Sequence, residues 1–182
     1  MIQKWKNVGK EKIGDYRIFN VEAHVNVSPK SGRSHTFYVI NSDDWVNVVP
    51  LTADNKVVLI HQYRHGIDAV TIEIPGGMVD EDENPQTAAQ RELREETGFD
   101  AEAYIHIGTV APNPAILNNR TFTYLARNAV QVDRQALDGT EDIAVELVDL
   151  AAIPDMIRSG RIVHSLVVAA FYHLENYLRQ SS

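Results

Sequence analysis

Three acidic residues, Glu92, Glu95 and Glu96, lie close together in a segment predicted to be helical. Residues three and four apart share one face of a helix, so the three carboxylates lie on one side of a single turn. Like charges at this spacing destabilise a helix, and a glutamate near its C-terminal end opposes the helix dipole. A cation between the carboxylates would offset both effects. Mg²⁺ is the natural candidate because it prefers carboxylate oxygens and keeps positions open for phosphate.

An exposed, solvated acidic face is the simpler alternative, but the residues around the helix favour a binding site. Gly76 and Gly77 precede the helix by a loop, where a backbone without side chains can approach a ligand closely. Arg91 lies beside Glu92 and can pair with another carboxylate of the segment. Leu93 is expected to anchor the helix to the core.

Composition narrows the class of protein. The chain has 182 residues, with 25 acidic and 17 basic residues and a net charge of −8. This charge repels a polyphosphate backbone, so we expect no nucleic-acid partner. The sequence contains no cysteine, which excludes disulfides, thiolate catalysis and cysteine zinc sites. No apolar run is long enough to span a bilayer and the N-terminus has no apolar signal core, so we expect no membrane partner and a cytoplasmic location.

Hydrophobic periodicity places these residues on elements. A helix is predicted from Pro85, with Asn84 as its N-cap, to a terminating Gly98. Alternation and turn residues predict strands at residues 17–27, 35–40, 45–51, 56–63, 70–74, 102–110, 120–126 and 144–150. Two more helices are predicted, at 154–159 and 163–179. This order favours an α/β fold with a mixed sheet between helices, and a boundary divides residues 1–42, a small β-unit, from the main domain at 43–182.

The segment that begins at Gly77 resembles the Nudix box at every fixed position. Glu83 follows Gly77 by six residues, and the stretch from Arg91 to Phe99 completes the motif of Arg-Glu-aliphatic-any-Glu-Glu-any-Gly and an aliphatic or aromatic residue. The resemblance implies a Nudix-type α/β/α sandwich with a mixed central β-sheet, in addition to the N-terminal β-unit. It also implies a hydrolase that cleaves the diphosphate linkage of a nucleoside diphosphate derivative.

Further segments resemble the ADP-ribose pyrophosphatase and nucleoside-diphosphate-sugar branch of that family. They are 61–64, 71–77 and 139–145. The resemblance implies a small-molecule substrate, ADP-ribose, cleaved to AMP and ribose 5-phosphate. A nucleotide sugar such as GDP-mannose is the alternative substrate, although residues 160–166 lack the acidic and lysine pair expected for it. A catalytically inactive nucleotide-binding sensor is the alternative from another class, and the intact glutamate set argues against it.

The family's metal ligands map onto four residues. The resemblance implies that Glu92 and Glu96 ligate the metal, that Glu95 contributes a third carboxylate and that Gly76 contributes its carbonyl. The expected cofactor is Mg²⁺, with Mn²⁺ possible, at two or three ions per site. Four other residues of the motif are implied to be structural: Gly77, Glu83, Arg91 and Gly98.

The general base is open to more than one assignment. The late acidic loop of this branch carries a carboxylate, and Glu141 is the best match. Some members have another glutamate two residues earlier, where this chain has Gly139. Either Glu141 or Glu95 then activates water, unless Asp138 or Asp142 replaces them.

Arg64, Glu73 and Trp45 match positions that contact substrate in this branch. Arginine can hold a phosphate in a forked geometry, glutamate can accept from hydroxyl groups, and tryptophan can stack on a base. The alternatives are a surface charge pair or an edge-strand polar pair for Arg64 and Glu73 and core packing for Trp45. Four histidines are interpreted as structural: His24, His61, His164 and His173. Resemblance to the branch also implies a homodimer in which the N-terminal strands reach the partner's site.

Overall fold

The computed structural model describes residues 1–181 of the chain. It contains two compact units, one formed by residues 1–44 and 111–120 and the other by residues 45–110 and the chain from 121 onward. Segment 111–120 therefore joins the first unit, whereas the predicted boundary after residue 42 placed it in the second. No helix among residues 1–181 is long and apolar enough to cross a membrane.

The first unit is an antiparallel sheet of three strands in the order β1-β2-β3. The strands are β1 (Lys6–Asp15), β2 (Phe19–Val27) and β3 (Ser34–Ser42). Strand β1 was not predicted, because its sequence is polar and mostly exposed and lacks alternation. Its hydrogen bonds to β2 form it instead. Within residues 1–44 only Ser28 is buried, so this sheet has no apolar core of its own.

The second unit contains a mixed six-stranded sheet. Its strands are β4 (Trp45–Leu51), β5 (Lys56–Arg64), β6 (Ala69–Glu73), β8 (Ala103–Val110), β9 (Thr121–Arg127) and β11 (Ile143–Asp149). The order is β11-β5-β4-β9-β8, and β6 pairs with β5. Strands β4 and β9 run parallel and the other neighbours antiparallel. A separate two-stranded ladder joins β7 (Phe99–Asp100) to β10 (Val130–Gln131).

Helices cover both faces of this sheet, which confirms the predicted α/β/α arrangement. They are α1 (Pro85–Thr97), α2 (Ile153–Arg158) and α3 (Ser165–Ser181), and a 3₁₀ turn at Leu150–Ala152 precedes α2. Because side chains alternate along a strand, β4 supplies both cores. Val46 and Val48 pack with Leu93 of α1, whereas Val49 and Leu51 belong to the cluster that contains the buried residues of α2 and α3.

Candidate active site

Local sequence explains both ends of α1, the helix that carries the glutamates. The side chain of Asn84 accepts a hydrogen bond from the Thr87 backbone, and Pro85 occupies the first turn. Gly98 ends the helix in the left-handed conformation at φ 73°, and its N–H donates to the Arg94 carbonyl. The side of α1 that contains Leu93 is buried. These features fix the rotation of the helix and therefore the direction of its carboxylates.

The glutamates of α1 line one pocket of about 390 Å³. Glu92 and Glu96 are buried, at 8% and 4% exposure, and Glu95 is half-buried. The predicted site residues that this pocket brings together are Trp45, Arg64, Gly76, Gly77, Arg91, Glu92, Glu95, Glu96 and Glu141, with Gln62, Met78, Asp80, Ala136 and Asp138 beside them. Glu73, Glu83 and Gly98 are not among its lining residues.

The two glycines that precede the helix are held on strand β4. The N–H of Val46 donates to the Gly77 carbonyl at 2.9 Å, and the N–H of Val48 donates to the Pro75 carbonyl at 2.8 Å. A Cβ on Gly76 would overlap the Val46 carbonyl, and a Cβ on Gly77 would overlap the Glu92 carboxylate. Gly76 therefore needs glycine because a side chain would meet backbone, whereas a side chain at position 77 would force the Glu92 carboxylate to move.

Arg91 is the cation at the centre of the acidic cluster. Its Nε and Nη2 donate to the two carboxylate oxygens of Glu83 at 3.2 and 3.0 Å. Its Nη1 donates to Glu92 at 2.7 Å and to Glu95 at 3.2 Å, and Nη2 also donates to the Met78 carbonyl at 3.0 Å. The hydrogen bonds from Arg91 lower the pKa of Glu83. Arg91 thus connects the loop before the helix to Glu92 and Glu95, two of the predicted metal ligands.

Burial and like charge raise the pKa of the two buried glutamates. For Glu96 burial is the largest cause, with the charges of Glu92 and Glu141 adding to it, and the pKa rises to about 8 although the Gly76 N–H donates to its carboxylate at 2.9 Å. Burial likewise raises the pKa of Glu92, against the effect of Arg91. Such sites hold ionised carboxylates more readily when a cation is present.

The donor set fits a hard divalent cation. Carboxylate oxygens from Glu92, Glu95, Glu96 and Glu141 face one pocket, and Mg²⁺ and Mn²⁺ prefer such oxygens. Among residues 1–181, no three acidic or histidine side chains already form a metal-binding group. Arg91 and the Gly76 N–H donate to one oxygen each of Glu92, Glu95 and Glu96. A carboxylate has a second oxygen, so these bonds are compatible with metal ligation.

Glu141 lies in a loop whose shape is set by its own hydrogen bonds. Its carboxylate accepts from the Asp138 N–H at 3.1 Å, and its N–H donates to the Asp138 carbonyl at 3.3 Å. The Asp138 carboxylate in turn accepts from the N–H and the hydroxyl of Thr140, both at 2.7 Å. Asp138 and Glu141 both line the pocket, so the loop brings its acidic residues to the glutamates of α1.

Arg64 and Glu73 form an ion pair at the border of the pocket. Glu73 is 3% exposed, accepts from Arg64 and also accepts from the Thr71 hydroxyl at 2.6 Å. Burial acts to raise the pKa of Glu73, but the hydrogen bonds from Arg64 and Thr71 outweigh it, and the pKa is lowered. Arg64 lines the pocket and Glu73 does not, so of these two residues only Arg64 faces the space that the glutamates line.

Trp45 is half-buried and lines the pocket, whereas the four histidines predicted to be structural are not among its lining residues. His61 contacts Glu146 at 2.8 Å, His24 contacts Glu22 at 2.7 Å, and the Nδ1 of His164 accepts from the Leu166 N–H at 3.2 Å. The histidine ring of His173 fills the space beside Gly108.

Sequence reasoning missed Gln135. Its amide nitrogen donates to the carbonyls of Glu96, at 2.7 Å, and Ile143, at 2.9 Å. A single glutamine in an irregular segment carries no periodic or motif signal, so only the folded chain reveals this role.

Known proteins share this fold and sequence pattern. The family description that matches is the NUDIX domain, over residues 43–170. The chain is 28% identical over 173 residues to the methanol dehydrogenase activator of Bacillus methanolicus, with 93% of this chain and 92% of that protein covered. It is 24% identical over 171 residues to an ADP-ribose pyrophosphatase of Bacillus subtilis strain 168, with the same coverage. A crystal structure of an ADP compounds hydrolase matches with a TM-score of 0.88 at 21% identity, over 100% of this chain and 98% of that one.

The family match covers the six-stranded sheet, helices α1 and α2, the first residues of α3 and every residue that lines the pocket. With this span and the glutamate geometry of α1, the chain belongs to the Nudix family.

Proposed function

We propose that this Nudix pyrophosphohydrolase cleaves the diphosphate linkage of ADP-ribose, which yields AMP and ribose 5-phosphate. The observation that carries the proposal is the pocket in which buried Glu92 and Glu96 are joined by Glu95 and Glu141 and bordered by Arg64. Negative ligands for metal and a positive group for phosphate then face the same space. The relatives named ADP-ribose pyrophosphatase support the choice of substrate.

The proposed metal ligands are Glu92, Glu95, Glu96 and the Gly76 carbonyl, with Mg²⁺ as cofactor and Mn²⁺ as a substitute, at two or three ions. When bound, such ions neutralise charge on the diphosphate and lower the pKa of a coordinated water. The Gly76 carbonyl suits the role of a metal ligand because the carbonyls of Pro75 and Gly77 on either side of it accept hydrogen bonds from β4. Carbonyls alternate in direction along an extended backbone, so the Gly76 carbonyl is expected to point away from β4.

We assign the general base to Glu141 rather than to Glu95. Glu95 accepts from Arg91 at 3.2 Å and is itself proposed to ligate the metal, so its carboxylate is already engaged. Glu141 is exposed, lines the pocket and has a backbone N–H as its bonded partner. It would take a proton from the water whose oxygen attacks one phosphorus, while the bond from that phosphorus to the bridging oxygen breaks. The leaving phosphate keeps the bridging oxygen.

Arg64 is proposed to bind the substrate phosphates and Trp45 to stack against the base or sugar. Both side chains line the pocket. Glu73 supports Arg64 and is proposed to act on substrate only through it. Gly77, Glu83, Arg91 and Gly98 are proposed to keep the glutamate helix and its loop in place.

A homodimer is proposed from the first unit considered by itself. Only one residue of 1–44 is buried, and large apolar side chains in this range are exposed, among them Trp5, Val8, Phe37 and Tyr38. Trp5 and Phe37 contact each other edge to face, with ring centroids 5.4 Å apart. Such a surface is expected to be covered by a second copy. Size-exclusion chromatography with light scattering should give twice the mass of one chain, and the mass of a monomer would contradict the proposal. The cytoplasmic location stays a prediction.

The test of the proposed function is a substrate panel with Mg²⁺ and with Mn²⁺: ADP-ribose, GDP-mannose, UDP-glucose, diadenosine polyphosphates and nucleoside triphosphates. The Glu96→Gln variant and metal-free reactions serve as controls. We expect AMP from ADP-ribose in the wild type only, and only with metal. Preference for GDP-mannose would keep the reaction and change the substrate. If none of these compounds is hydrolysed, the proposal that the protein is an enzyme is contradicted, and the catalytically inactive nucleotide-binding sensor is the alternative that stays.

A further inference from the structure

The segment between β10 and β11 is attached to the C-terminal end of the glutamate helix. The N–H groups of Val132 and Asp133 donate to the Gly98 carbonyl at 2.9 and 3.0 Å, and the N–H of Ala136 donates to the Glu95 carbonyl at 2.8 Å. The last carbonyls of a helix have no partner within the helix. This segment satisfies them, and it then continues into the loop that carries Glu141.

Gln135 completes the attachment through its side chain. Its amide nitrogen donates to the Glu96 carbonyl at 2.7 Å and to the Ile143 carbonyl at 2.9 Å. Glu96 belongs to the last turn of α1, and Ile143 is the first residue of β11. One side chain therefore joins the end of the metal-binding helix to the strand that follows Glu141, and both of these bonds are partly shielded from solvent.

We propose that Gln135 is a positioning residue, which fixes the Glu141 loop relative to the carboxylates of Glu92 and Glu96. The inference rests on the proposed role of Glu141 in hydrolysis. The loop from Asp138 to Glu141 keeps its internal shape through its own hydrogen bonds. Those bonds do not place the loop against α1. The Ala136 N–H holds the start of the loop on that helix, and the Gln135 side chain joins the helix to Ile143, which follows the loop.

Glu141 is exposed, so its own burial does not hold it in place. The effect of losing Gln135 should therefore fall on the position of Glu141 and not on the core, because Gln135 is itself an exposed residue. Activation of water depends on the placement of the base to within a fraction of an ångström. Loss of the amide should lower kcat about tenfold and change the KM for ADP-ribose little, because Arg64 lies on a different strand.

The test compares Gln135→Met with Gln131→Met. Methionine keeps the length of glutamine and removes the donor. Gln131 is an exposed glutamine in the same region, whose amide contacts only the Asp133 carbonyl at 3.4 Å, and it is the matched control. Both variants are also made in the Glu141→Gln background. The readouts are kcat, KM, the melting temperature and hydrogen exchange of the backbone amides of residues 136–142.

We expect Gln135→Met to lower kcat and to speed exchange in residues 136–142, and Gln131→Met to do neither. If Gln135 acts through Glu141, its substitution should change kcat little once Glu141 is already glutamine. Equal losses in both backgrounds, or equal behaviour of the two glutamine variants, would overturn the inference. A wild type that turns over no substrate would contradict the proposed function, whereas unchanged exchange in Gln135→Met would contradict the attachment itself, whatever the activity.

Discussion

The guanidinium of Arg64 meets the carboxylate of Glu73 through two parallel hydrogen bonds, Nε to Oε1 and Nη2 to Oε2, each 2.8 Å long. Paired bonds of this kind fix orientation as well as distance. Thr71 donates to the same carboxylate, and all three residues lie on the antiparallel pair β5 and β6. Glu73 therefore fixes the orientation of the Arg64 guanidinium, and Arg64 lines the pocket.

Glu73→Gln should weaken substrate binding more than catalysis. The glutamine would keep one acceptor for Arg64 and lose the charge, so the guanidinium would be less well oriented. We expect the KM for ADP-ribose to rise about tenfold with a smaller change in kcat. Glu146→Gln is the control, because Glu146 pairs with His61 and is more exposed. Equal KM values for the two variants would contradict the role of Glu73.

The stability of the metal-free protein should depend on pH through Glu96. Burial raises its folded pKa from 4.5 to about 8, so the unfolded state ionises first as pH rises. The contribution of Glu96 to stability is therefore fully present below pH 4.5 and is lost as pH rises to about 8. In the presence of EDTA, we expect the melting temperature of the wild type to fall across this window more than that of Glu96→Gln.

Added Mg²⁺ at the upper end of that pH window should recover the melting temperature of the wild type and not of Glu96→Gln, because a metal favours the ionised carboxylate. Melting curves at several pH values, with and without Mg²⁺, measure this. Parallel pH dependence in the two proteins would show that other groups dominate.

Gly77→Ala should impair metal binding by displacing Glu92. A Cβ at this position overlaps the Glu92 carboxylate, so the side chain must move from its bonded position beside Arg91. We expect Mn²⁺ affinity to fall about tenfold or more, measured by titration calorimetry. Gly66→Ala is the matched control, since a Cβ there meets nothing within 4 Å. Unchanged Mn²⁺ binding in Gly77→Ala would mean that Glu92 is not a ligand.

Arg91→Met should destabilise the metal-free protein. The change leaves Glu83, Glu92 and Glu95 without their shared cation, and losing that cation is most unfavourable for Glu92, whose carboxylate is buried. We expect the melting temperature to fall by about 5 °C or more, and Mg²⁺ to restore part of the loss. The neighbouring Arg94 is exposed, and Arg94→Met is the control. A similar loss in both variants, insensitive to Mg²⁺, would contradict this account.

Local signals in the sequence predicted α1 accurately, and nonlocal contacts explain what was missed. The cap at Asn84 and the left-handed Gly98 act on neighbouring residues, so both ends of the helix could be recognised. The spacing of the glutamates likewise implied a shared face. Strand β1 and the short pair β7 and β10 depend on hydrogen bonds to distant residues and have no periodic pattern of their own. Gln135 belongs to this second kind, because its partners are carbonyl groups of two other elements.

Arg64 and Glu73, the two charged residues predicted to contact substrate, show the same difference between local and nonlocal signals. Arg64 and Glu73 were singled out together, but their charges alone did not reveal which one faces the pocket. The register of β5 and β6 and the burial of Glu73 decide it in favour of Arg64. Sequence pattern identifies the residue types of such a pair, whereas the fold determines which partner is left for a ligand.

The parallel pairing of β4 with β9 has a consequence for synthesis on the ribosome. Residues 45–51 emerge early, yet their partners on one edge, residues 121–127, are made much later. Until then one edge of β4 is unpaired. The strand is rich in valine, and Val46, Val48 and Val49, which are fully buried in the folded protein, are not yet covered. Such an unpaired edge can pair with other chains. A translational pause after residues 45–51 have emerged and before residues 121–127 have emerged should therefore promote aggregation or recruit chaperones, whereas a pause after both have emerged should not.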